Sequence, residues 1–263
     1  MTDAYESPQN AAADVPPEPV AALSVTDKFV GVLTEPAAIF ENVRLAGSRV
    51  TDYLVPMLAL VVILMVGTYI KFSNPEFMAQ MQDTQVAAMK EQVQSGAMTQ
   101  EQADTALDSI QQYSGMMKIF SVGGVAIGVP IVFFLMAVLY WLLAKYALKG
   151  DLTYALVLAV YGLTAWIGVI DQLLAVILGY ATNNMFATLS PTLFMAHDAE
   201  AIKATSFRLL SNLNPLTIWS NYVFSIGLHK VGVLSKEKAF GLVFGLWVLW
   251  ILASAFIKIP GMG

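Results

Sequence analysis

Residues 53–70 read YLVPMLALVVILMVGTYI, 18 positions without a charge between Asp52 and Lys71. A bilayer's hydrocarbon core is crossed by roughly 20 apolar residues at about 1.5 Å each. Such a stretch has to be helical in lipid, because every backbone N–H and C=O must find a partner within the segment. The same punctuation recurs along the chain. Residues 119–144, 152–170, 209–228 and 239–257 are also free of charge, with 26, 19, 20 and 19 positions respectively. Five spans follow from this count. Their expected limits are about 53–71, 117–144, 154–180, 213–231 and 238–258.

The expected fold is therefore all-α: a polytopic, five-helix transmembrane bundle. Composition agrees. Of the 263 residues, 57% are hydrophobic and 13% charged, against about 25% charged in a typical soluble domain. That excludes disorder over most of the chain and argues against an ordinary soluble enzyme. A net charge of −5 without a basic stripe argues against nucleic-acid binding. With no cysteine, disulfides, thiolate metal sites and cysteine nucleophiles are excluded together.

The spans differ in kind. The third continues past Asp171 through Leu173, Leu174 and Val176, so Asp171 falls inside it. The fourth carries Asn212, Asn214, Ser220 and Asn221, all costly in hydrocarbon unless paired. Its Asn214-Pro215 step is a helix start, since Asn caps and Pro suits the first helical position. A helix from Pro215 to about Lys230 is short for a span, and is expected to be half-inserted or tilted within the bundle.

Three regions lie outside the spans. Residues 1–24 are expected to form a flexible acidic tail, with prolines at 8, 16, 17 and 19. Residues 25–51 read as an amphipathic membrane-surface segment. Phe29, Val32, Leu33, Ile39 and Phe40 recur at near-helical spacing, and Pro36 interrupts them. Residues 75–113, rich in Met, Gln and Ala, are expected to form an extramembrane helical hairpin between the first and second spans. Gly96 stops one helix, and Thr99-Gln-Glu-Gln102 opens the next in a capping-box pattern. Lysines in the loops place the N-terminus on the cytoplasmic side and the C-terminus outside by the positive-inside rule.

Chemistry is sparse. Asp171 is the one acid well inside an apolar span, and such groups default to functional hypotheses. With Gln172, Asn214, Ser220 and Asn221 it defines a candidate intramembrane polar cluster. The transport reading is a cation or proton site on Asp171. The structural reading, weighed ahead of it, is interhelical hydrogen bonding. His197 and His229 are expected on opposite sides of the membrane and form no metal pair. No nucleophile, base and oxyanion donor assemble, and no nucleotide loop is present. No catalytic, cofactor-binding or metal-binding residue is assigned, and the chain reads as a non-enzyme whose first partner is the lipid bilayer. The hairpin and the N-terminal segment are where a protein partner would bind.

Several short motifs carry a resemblance. They are Leu33-Thr-Glu-Pro36-Ala-Ala-Ile-Phe40, Leu54-Val-Pro56, Asn214-Pro215-Leu-Thr-Ile-Trp219, Gly227-Leu-His-Lys230-Val and Leu234-Ser-Lys-Glu-Lys238-Ala239. Together, over about residues 30–258, the chain resembles a bacterial member of the Yip family of multi-pass membrane proteins. The resemblance implies five membrane helices, a cytosolic N-terminus and a place in the bacterial inner membrane. Eukaryotic relatives bind small Rab-type GTPases and shape membranes. The long 75–113 hairpin departs from their compact pattern.

Overall fold

The computed structural model describes residues 20–195, 201–202 and 204–256. Most of the acidic tail, and His197, lie outside the described residues. Those described are helical, with no strand among them.

The segment before the first span forms two helices, α1 (Val25–Thr34) and α2 (Pro36–Ala46). Ser24 caps α1 by accepting the Asp27 N–H, and Pro36 opens α2 at its first turn. Part of their apolar surface packs within the protein, while Val25, Val30 and Leu45 stay exposed. Val32, Phe40 and Val43 are fully buried, in one core with Val157 and Val160 of α7 (Tyr154–Ala181) and Leu228 and Val231 of α9 (Pro215–Val231). An amphipathic pattern specifies an apolar neighbour without saying whether it is lipid or protein. Here a large part of it is protein.

Four helices are long and apolar enough to cross a membrane: Thr51–Ser73, Gly115–Ala147, Tyr154–Ala181 and Lys236–Ser254. They correspond to α3 (Thr51–Ser73), α6 (Ser114–Leu142, continued by a π-turn at Leu143–Ala147), α7 and α10 (Lys236–Phe256). The expected fourth span is α9, whose 17 residues extend about 26 Å at 1.5 Å each. It falls short of the other four.

Close approaches fix the packing. Tyr53 meets Gly162, Leu60 meets Gly168 and Gly67 meets Val176, so α3 and α7 run parallel. The Gly162 contact demands glycine, since a Cβ there would collide with Tyr53 Cα and the Asp52 carbonyl. Gly227 lies against Val160, and Asn214 against Asp171, so α9 runs antiparallel to α7. Phe134 stacks edge-on with Tyr53 near one end of α6, and Lys118 reaches Ser73 near the other. That makes α6 antiparallel to α3.

Between α3 and α6 lie α4 (Pro75–Gln94) and α5 (Gln100–Gln112). Asn74 caps α4 through the Glu76 and Phe77 N–H groups, with Pro75 at the first position. Gly96 adopts φ +74, the left-handed turn that separates the two helices. Thr99 Oγ1 accepts the Gln102 N–H, and Gln102 Oε1 accepts the Thr99 N–H, closing the reciprocal capping box. Near its base α4 is tied to the bundle. Phe77 packs edge-on against Tyr180, while Gln80 donates to the Asn183 carbonyl and accepts from the Met185 N–H. Beyond α7 come a 3-10 turn (Pro191–Phe194) and a short helix, α8 (Thr205–Ser211).

Candidate functional site

The expected polar cluster resolves into one contact. Asp171 lies in α7, and its Oδ1 accepts the Asn214 Nδ2–H at 2.7 Å. Asn214 also caps α9, its Oδ1 accepting the Leu216 N–H at 2.8 Å. One amide thus serves as helix cap and as carboxylate partner. The amino-terminus of α9, the positive end of its dipole, falls beside the Asp171 carboxylate.

This contact also sets depth. Asp171 stands ten residues before the end of α7 at Ala181, or about 15 Å along the helix. Because α9 begins beside Asp171, it starts that far short of α7's end. Among the described residues between α7 and α9, the 3-10 turn and α8 pack together and α8 packs against α10. Within it Thr188, Ser190 and Thr192 join hydroxyls at 3.0 and 2.7 Å, and Ser190 and Thr192 are buried. Pairing these hydroxyls satisfies polar atoms in a buried, irregular stretch.

The other members of the expected cluster do not share the Asp171–Asn214 hydrogen bond. Asn221 lies farther along α9, where its carbonyl accepts the Ser225 hydroxyl at 2.7 Å. The Asn221 Nδ2 is buried without a hydrogen-bond partner. Ser220 and Gln172 take no part in the Asp171–Asn214 contact. The Trp141 and Trp166 ring N–H groups are likewise buried and unpartnered. Among the described residues no group of three or more His, Asp or Glu is placed to hold a metal ion.

A second polar joint was not legible in the sequence. Lys28 Nζ lies 2.6 Å from Asp52 Oδ1, and the Arg49 N–H donates to Asp52 Oδ2 at 2.9 Å. Both side chains are buried, at 2% and 1% relative exposure. Asp52 marks the edge of a span, and Lys28 lies within the amphipathic segment at 25–51. Twenty-four residues separate them, and neither position carries a motif. The joint pins α1 to the start of α3, where the Asp52 carbonyl faces Gly162.

Parallel and antiparallel apolar helices, with their few buried charges paired at helix ends, define a polytopic helical membrane protein. Within that class the chain belongs to the Yip1 domain family, whose model matches residues 30–257. It is similar to membrane protein YknW of Bacillus subtilis, with 26% identity over 235 residues, covering 87% of this chain and 90% of that protein. No solved structure matches.

Proposed function

We propose that this chain is a non-enzymatic scaffold of the bacterial inner membrane that binds a protein partner through its 75–113 hairpin or its N-terminal segment. The observation that carries this reading is the use made of Asp171. Its carboxylate is spent on Asn214, the residue that starts α9, which is the behaviour of a structural joint. The Lys28–Asp52 pair serves α1 and α3 in the same way. Polar surface is concentrated instead on α4 and α5, where Glu76, Asp83, Glu91, Glu101, Asp104 and Asp108 stand against a single lysine, Lys90. In this reading the chain crosses the bilayer five times, with α9, half-inserted or tilted, making the fourth crossing. The N-terminus is cytoplasmic, the C-terminus lies outside, and the hairpin projects on the outer side. Cross-linking in intact cells followed by pull-down, comparing the full chain with a form lacking residues 75–113, tests it. Loss of specific partners on deletion is expected. An unchanged partner list removes the hairpin from the proposal.

The second reading is a small ion- or proton-coupled transporter or channel centred on Asp171. It is favoured by one feature: a helix that begins level with an acid deep in a neighbouring span, an arrangement used by transporters with broken helices. Flux into vesicles decides between the two. Transport by the wild type that Asp171→Asn abolishes supports this reading, and equal flux in both proteins sinks it.

A further inference from the structure

The outward face of α3 carries an apolar stripe: Leu54, Leu58, Val62, Val66 and Tyr69, each between 36% and 59% exposed. Spacings of four, four, four and three keep it on one side of the helix. From Leu54 to Ser73 the helix rises about 28 Å, close to the ~30 Å of a bilayer's hydrocarbon core.

A cation stands at the hairpin end of this stripe. Lys118 of α6 places its Nζ 3.8 Å from the centre of the Tyr69 ring and donates to Ser73 Oγ at 2.6 Å. The Ser73 hydroxyl donates in turn to the Tyr69 carbonyl, so it is oriented to accept from the ammonium. An ammonium has three N–H donors, and one is matched here. The ion pairs among the described residues are Lys28–Asp52 and Arg44–Glu41, so no carboxylate neutralises Lys118. Next to it Ile119 and Phe120 are 72% and 70% exposed. A fixed cation over an exposed tyrosine, at the end of a hydrocarbon-length apolar face, matches an interfacial anchor.

We propose that Lys118, Tyr69 and Ser73 form a binding site for the phosphate headgroup of an anionic phospholipid. Its acyl chains lie along α3 and beside Ile119 and Phe120. The lipid belongs to the leaflet on the hairpin side. The phosphate supplies the counter-charge that the protein lacks, and the apolar stripe selects a lipid over a soluble phosphate. This rests on the membrane placement of α3 and α6 and is independent of any protein partner.

The test uses the full chain purified from mixed phosphatidylglycerol and phosphatidylcholine, with retained lipid counted by native mass spectrometry. The wild type is expected to retain phosphatidylglycerol in preference. Lys118→Gln should lower that preference about fivefold, the effect of one basic residue at an anionic surface. Lys118→Arg should preserve most of it. Lys90→Gln, on the hairpin, should change nothing. Retention by Lys118→Gln equal to wild type, or an equal loss in Lys90→Gln, overturns the site. Lys118 is only partly buried, and an unchanged melting temperature shows that the variant is folded.

Discussion

Lys28 and Asp52 are 24 positions apart in sequence and 2.6 Å apart in space, buried where α1 meets the first turn of α3. Removing one partner strands a buried charge, which costs roughly 3–5 kcal/mol. Lys28→Met should therefore lower the melting temperature sharply. The double variant Lys28→Met with Asp52→Leu should regain much of the loss, because an apolar pair needs no desolvation offset. Thermal melts of the three proteins in one detergent check this. A double variant no more stable than Lys28→Met would show that the pair is not the origin of the effect.

Asn214 performs two tasks, so its substitutions separate them. Asn214→Ser keeps a capping oxygen for the Leu216 N–H but is too short to preserve the present amide contact with Asp171. Asn214→Ala loses both. The difference between the two variants should be about 1 kcal/mol, the worth of a helix cap. Both should be less stable than wild type, since Asp171 loses a hydrogen bond worth roughly 0.6–2 kcal/mol inside a membrane bundle. Denaturant or thermal titration in micelles measures the series.

Glycines divide by what surrounds them. At Gly162 an added Cβ meets the backbone of Tyr53 and Asp52, and at Gly227 it meets Val160 and Phe40. Alanine at either position should destabilise by roughly 1–3 kcal/mol through overpacking. Gly124 and Gly241 have nothing within 4 Å of such an atom, so alanine there should fall within about 0.5 kcal/mol of wild type. A large loss at Gly124 would reveal a neighbour outside this chain.

Asn221 buries an Nδ2 that finds no partner. An unmade hydrogen bond leaves a desolvation cost of roughly 1–3 kcal/mol. Asn221→Leu should therefore be neutral or stabilising in a melting experiment. A clear loss of stability would mean that the amide is satisfied by a group the isolated chain does not contain.

Gln80 holds α4 to the residues just beyond α7 through two hydrogen bonds, at 2.8 and 3.0 Å. Gln80→Ala should loosen the base of α4 without unfolding the bundle. Faster amide exchange across residues 75–94, with unchanged exchange in α7, is the expected outcome.

Some of this architecture is written locally. The limits of α3, α6 and α10, and the start of α7, are legible because charges mark where an apolar helix can end. The starts of α4 and α9 are legible because Asn74-Pro75 and Asn214-Pro215 satisfy orphan N–H groups within a few residues. Composition and short motifs were sufficient for the membrane class and the family. Tertiary structure decided the partners. The sequence singled out Asp171 and Asn214, 43 residues apart, but only the antiparallel register of α7 and α9 joins them. The same register left Ser220 and Asn221 aside. Lys28 and Asp52 gave no local sign at all, because a lysine on an amphipathic helix and an acid at a span end are each ordinary alone. Periodicity reports which face of a helix is apolar. Which charge meets which depends on helix register, and that is set by close contacts such as Gly162 on Tyr53 and Gly227 on Val160.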